Sequence, residues 1–452
     1  MSSLRPVLAI LAALYCLWPQ ARAQAGPPDD KTGLVGHGGP VKAITTDATG
    51  RYVLTGSFDY SAILWELAPG KKPRLLNRFA DHDSPVNSVA FIKAPDRFVS
   101  AGDDGDLYLW RTRPAKLLHR FKGHRNKVLS IAISPGKRLA ASASWDRTIR
   151  LWDLKTLKPA GVLKGHTGPV NAVLFSADGR FLYSGSYDGS IAKWDVRTGQ
   201  MIRPLHRHGW GINVMAWLPG KRKILFGAIN GDVQVFDLDK DRISKILIPH
   251  QRPVLALAIS RDGTLLASSG AGGIIRVWRL ADWSVVEELH SAFGPVWAMA
   301  FIDNRHMLYA GLDDFAANWK ISPRDMSKEG QGTFPRRFQK NTSMSLGERQ
   351  FNRKCSVCHT LRPQDANRAG PSLYGVFGRR AGSLAGYPYS PDLKRSAIIW
   401  TEKNIDRLFR DGPQVVTPGS KMPLQRISDT RKREALIKFL RRKAMPEGMT
   451  SK

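Results

Sequence analysis

A comb of large aromatic residues constrains this chain more than any other feature. Trp65, Trp110, Trp152, Trp194, Phe236, Trp278 and Trp319 stand 45, 42, 42, 42, 42 and 41 residues apart. A second comb keeps the same step: His37, His82, His124, His166, His208, His250 and His290 each precede the matching aromatic by 28 residues, or 29 in the last case. A repeat of this length marks an array of units that cannot bury their apolar faces alone and must stack on their neighbours. Alternating apolar runs such as Val170 to Phe175, Phe181 to Ser184 and Ile191 to Trp194, separated by turns such as Ala177-Asp178-Gly179, read as short strands.

With Gly165-His166 near the start of a unit and Trp194-Asp195 at its end, the pattern resembles the WD-repeat family. The resemblance implies a seven-bladed β-propeller over residues 30 to 322, with four strands per blade. It also implies that the repeated His, a strand-two Ser or Thr, a turn Asp and the Trp indole form a hydrogen-bonded tetrad inside each blade. Blades three and four have complete sets: His124, Ser142, Asp146, Trp152, and His166, Ser184, Asp188, Trp194. These histidines are therefore structural, because a buried polar group is tolerated when it is paired. Blade five departs with Phe226, Asn230 and Phe236, and blade six has Gly272 where the Asp belongs. Residues 30 to 35 have the strand character needed to complete the last blade, whereas residues 323 to 344 read as a linker.

The chemistry is concentrated elsewhere, in Cys355-Ser356-Val357-Cys358-His359. Two thiols three apart can form two thioether bonds to a haem while the adjacent imidazole takes one axial position on the iron. A CxxC disulfide or a redox dithiol accounts for neither the adjacent His nor the lack of a strand-helix-strand context. A zinc site would need a second Cys or His pair, and the only other cysteine is Cys16. Met422, in Pro418 to Pro423, offers a sixth ligand 63 residues after His359.

At this point residues 345 to 443 resemble a class I cytochrome c of the mitochondrial type. The matching pieces run in order: Gly347 and Phe351, the CxxCHT, Gly370 to Leu373, Gly375 to Arg379, Gly386 to Tyr389, Trp400-Thr401, Pro418 to Met422, and Leu436 to Leu440. The resemblance implies His359 and Met422 as axial pair, the Pro371 carbonyl as acceptor of the imidazole N–H, and Arg379, Tyr389, Trp400 and Ser420 beside the haem propionates. Lys354 and Lys421 align with the family's docking surface. Two departures stand out, Leu408 and Leu393, where the family has an inner Tyr and Asn; both remove a polar group near the iron. The expected fold class is thus multi-domain, an all-β propeller followed by an all-α cytochrome domain, with 444 to 452 as a tail.

Net charge of +31 and a pI near 10.3 ask for an acidic partner, an anionic membrane surface or nucleic acid. Residues 1 to 23 choose among them: Arg5, a short apolar run from Val7 to Trp18 and Ala21-Arg22-Ala23 read as a removable secretory signal. The run is too short for a membrane span of about 20 apolar residues, so no stable span is expected after its removal, and export makes nucleic acid a poor partner. The sequence therefore points to a periplasmic electron carrier with one covalent haem c, an acidic redox partner and a propeller that serves as docking scaffold. Two alternatives stay open. One is an oxidoreductase with a second cofactor in the propeller; the other is an interaction scaffold or sensor. For docking, the residue before each tetrad Asp is the candidate, and three of these are large aromatics: Phe58, Trp145 and Tyr187.

Overall fold

The computed structural model describes residues 33–220, 222–291, 294–321, 344–356, 358–361, 370–387, 389–420, 422 and 426–444. The expected signal segment, residues 323 to 343 of the linker, Lys421 and residues 445 to 452 lie outside the described residues.

Among the described residues twenty-eight strands, β1 to β28, fill seven four-stranded antiparallel sheets. Six sheets take four consecutive strands each; the seventh combines β26 (Val296–Phe301), β27 (His306–Gly311) and β28 (Phe315–Lys320) with β1 (Leu34–Val35). Leu34 pairs with Ala316 and Val35 with Phe315, so the first strand of the chain completes the last blade and residues at the two ends of the array are bonded together. The described residues of the C-terminal domain form five helices, α1 (Leu346–Lys354), α2 (Pro391–Arg395), α3 (Glu402–Asp411), α4 (Pro413–Val416) and α5 (Thr430–Ala444). Among the described residues no helix is long and apolar enough to cross a membrane.

Each blade is held by apolar side chains between sheets and by polar chains within them. In blades one to four, a His bridges the turn Asp and a strand Ser or Thr, and the same hydroxyl accepts from the Trp indole. Blade one is representative: His37 meets Asp59 at 2.9 Å and Thr55 at 2.6 Å, and Trp65 Nε1 donates to Thr55 Oγ1 at 2.8 Å. Burial pushes the Asp59 carboxyl upward, but His37 and Arg78 outweigh it and hold the group below the usual carboxylate range. Neighbouring blades are latched by a second recurring device. Asn87, Asn171 and Asn213 each donate from Nδ2 to the carbonyl of Val128, Ile212 and Val254 in the next blade, at 3.0, 2.9 and 3.0 Å.

The departures read from the sequence have structural counterparts. In blade five Phe226 and Phe236 are buried, and His206 lies among the rings. His208 turns to Asp232 instead, at 3.0 Å. In blade six His250 keeps Ser268 at 2.9 Å, but with Gly272 in place of an acid its Nδ1 is buried without a partner. Burial, and then Arg276, pull the His250 imidazole down to about 4.

A group whose folded-state pKa lies below its unfolded value near 6.5 contributes stability that is complete above that value and lost as pH falls toward 4. An ideal Cβ at Gly272 would meet only Arg252, at 3.5 Å, so an acid fits there. We predict that Gly272→Asp supplies the missing partner of His250, raises stability by about 1 kcal/mol, and flattens the decline between pH 6.5 and 4. Thermal melts at several pH values check this; a variant as acid-sensitive as the parent would refute it.

Candidate haem site and propeller face

The helical domain is built around the crossing of its first and last helices. Gly347 of α1 is required there, because an added Cβ would fall 2.0 Å from the Ala435 carbonyl oxygen of α5. One turn on, the Phe351 and Phe439 rings meet with centroids 5.6 Å apart. Ser345 caps α1 by accepting from the Glu348 N–H, and the helix ends at Cys355, whose N–H bonds to the Phe351 carbonyl. The helix thereby delivers a buried Cys355 to one wall of a cavity, with Cys358 on the next turn.

That cavity holds about 1140 Å³ of space between atoms, its open mouth included. His359 and Met422 both line it, as do Pro371, Arg379, Tyr389, Trp400, Ser420 and Lys354. His359 Nδ1 is 2.8 Å from the Pro371 carbonyl, which places the proton on Nδ1 and the ligating lone pair on Nε2. Gly370 permits this closeness, since a Cβ there would fall 2.3 Å from His359 Cε1. Arg379 donates to the carbonyls of Tyr374 and Ser372 at 2.9 and 2.7 Å, and burial pulls its guanidinium below the ordinary value. Burial, then Cys358, pushes the Cys355 thiol up to about 12.

Leu393 and Leu408 line the same cavity, so both apolar departures face the site. Polar groups do enter from a neighbouring position: Thr417 lines the cavity and its hydroxyl lies 3.2 Å from that of Ser420. Tyr387 also belongs to the surroundings, its ring packed edge to face on Tyr389 at 4.6 Å. Unforeseen in the sequence, one lining residue comes from the propeller: Tyr60, in the turn after β3 (Tyr52–Ser57).

Of the basic residues along α5, Arg431 to Arg433 and Arg441 to Lys443, two are tied to α3. Arg433 is buried, pairs with Asp406 of α3 at 2.7 Å and donates to the carbonyls of Ile427 and Ser428. Arg441 pairs with Glu402 at 2.7 Å.

On the propeller, the three aromatics before the turn acids are not one cluster. Phe58 is half-buried and stacks on Trp297 at 5.5 Å, with the Lys42 ammonium 4.6 Å from the same indole. Trp145 lies beneath Lys127 at 3.5 Å and donates to Asn171 of the next blade, yet is 39% exposed. Tyr187 is 54% exposed and is joined by Trp210 at 57%. Sequence reasoning missed Trp210, although a Trp outside the aromatic comb, standing where blade four has Gly168, was a usable signal.

Comparison with known proteins agrees with this geometry. The pattern described as Cytochrome c matches residues 344–443. A cytochrome c of Cochliobolus lunatus is 40% identical over 96 residues, 21% of this chain and 86% of that protein. The chain belongs to the cytochrome c family. A cytochrome c of Arabidopsis thaliana is 38% identical over 96 residues, covering 21% of this chain and 83% of its own length. A cytochrome c2 of Blastochloris viridis is 39% identical over 95 residues, 21% of this chain and 73% of its own. The pattern described as WD domain, G-beta repeat matches residues 30–66, 73–111, 115–153, 157–195 and 242–279, so the propeller carries WD repeats ahead of the cytochrome c domain. The unmatched blades are five and seven, and blade five has no Ser or Trp to form a tetrad.

Haem c is the cofactor that the cytochrome c family implies, and the cavity fits it. Its donor set is an imidazole with a fixed tautomer, a thioether and two thiols, set among apolar side chains. Removing the close approach that shapes this domain should be costly. We predict that Gly347→Ala destabilises the cytochrome c domain by about 1–3 kcal/mol, because backbone must shift to admit the methyl group. Denaturant titration followed by haem absorbance checks this against the parent.

Proposed function

We propose that the protein is an exported one-electron carrier holding a single haem, attached through Cys355 and Cys358, with His359 and Met422 as axial residues and the propeller as docking scaffold. The observation that carries this reading is the pairing of His359, its tautomer set by Pro371, with Met422 in the wall of one apolar cavity. When bound, the haem supplies reversible one-electron chemistry, and methionine ligation favours the reduced state relative to two histidines.

The chain's own residues do the rest. Pro371 orients the imidazole; Leu393, Leu408 and Phe409 exclude water; Arg379, Tyr389, Trp400 and Ser420 offer donors for the propionates. With two protein ligands there is no open iron position for substrate, which supports electron transfer over catalysis. Export rests on residues 1 to 23, and the basic surface supports an acidic redox partner, with Lys354 beside the cavity as one contact. Four propeller histidines are fully engaged in tetrads, which further supports a docking role over a second cofactor.

Met422→Ala should abolish the weak sulfur-to-iron charge-transfer band of the oxidised protein. Persistence of that band would refute Met422 as ligand. For docking, Trp145→Ala with Tyr187→Ala should weaken binding to the redox partner by about 1–3 kcal/mol, since exposed aromatics bury large area at low entropic cost. Titration calorimetry checks this, with haem content and potential unchanged in the variant; unaltered affinity would exclude this face.

A further inference from the structure

Tyr60 fills a turn position that most of its neighbours in the ring give to glycine. The same turn position in blades two, four, five and six is Gly105, Gly189, Gly231 and Gly273, all with positive φ, and in blade three it is Arg147. Tyr60 has φ of 65°, a left-handed conformation that is uncommon and strained for a bulky residue. Such strain persists where the surroundings over-determine it, and it clusters at ligand clamps. The propeller turn sets the positive φ in all six of these blades, yet glycine meets it in four of them, so a buried aromatic at this position calls for a contact outside the turn.

The reason lies across the domain boundary. Tyr60 is only 8% exposed, although it stands at the tip of a turn. It lines the haem cavity together with Cys358, His359, Tyr387 and Tyr389, and its phenol is within electrostatic reach of Cys358 and Tyr387. The covering is therefore supplied by the cytochrome c domain, and the side chain in turn covers that domain's cavity.

We propose that Tyr60 is an interdomain cap: the first propeller blade closes one side of the haem crevice, so that haem exposure and potential are set jointly by both domains. This rests on the haem reading above. A cap that excludes water lowers the local dielectric, which disfavours the more highly charged oxidised haem and raises the potential. It also shields the edge beside Cys358, leaving a protein partner to approach over the propeller face that carries Trp145, Tyr187 and Trp210.

Two measurements on the full-length chain test the cap. A photo-cross-linking benzoylphenylalanine at position 60 should join the propeller to peptides from residues 354–389. The variant Tyr60→Gly, which relieves the strained φ and so keeps the propeller folded, should show a lower reduction potential and faster oxidation by a bulky anionic complex such as ferricyanide, by several-fold. Cross-links confined to the propeller, or a potential and a rate equal to the parent's, would overturn the proposal. Absence of a haem spectrum from the parent chain would instead speak against the haem reading, and the cross-link would still decide the cap.

Discussion

Ring closure is the constraint on which the rest of this structure depends. A blade buries its apolar faces only between two neighbours, so an open array of seven would leave two sheets uncovered and two edges free to pair with other chains. Two residues, Leu34 and Val35, resolve this by adding to β28. The asparagine latches then tie inner strands blade to blade, and the buried tetrads fix the turn in blades one to four. With the ring locked, the turn holding Tyr60 becomes a rigid point on which another domain can be seated.

Histidine serves opposite ends in the two domains, and the difference is one of hydrogen-bond accounting. In blades one to four both ring nitrogens meet side chains, a carboxylate on one side and a hydroxyl on the other, so nothing remains for a metal. In the cytochrome c domain a backbone carbonyl takes one nitrogen of His359, and the other carries the lone pair. The same imidazole is thus a rivet in one setting and, in the proposed haem site, would be a ligand in the other, and the partner set decides which.

Much of this was legible in the chain because it depends on local spacing. A comb of 42 residues gives the blades; Cys355, Cys358 and His359 mark the wall of the candidate site; Leu393 and Leu408 could be assigned to its interior by alignment with the family, and all five line the cavity. What could not be read depends on contacts between segments far apart. Arg433 looks like a surface charge until α3 brings Asp406 to it. Phe58 looks like part of an exposed trio until Trp297, from another blade, stacks on it. Tyr60 carried a faint signal, an aromatic in a column of glycines, but its meaning required the second domain.

Closure has one more effect. Because the last blade is completed by the first strand, the chain leaves the ring at Ile321 beside the point where it entered. The 23 residue steps from Ile321 to Met344 span at most about 80 Å even when fully extended. The cytochrome c domain is therefore held within that distance of Ile321, at an effective concentration on the order of millimolar. The proposed cap, a single side chain too weak to hold two separate molecules together, would be populated under that tether. It would also be weak enough for a partner of modest affinity to displace.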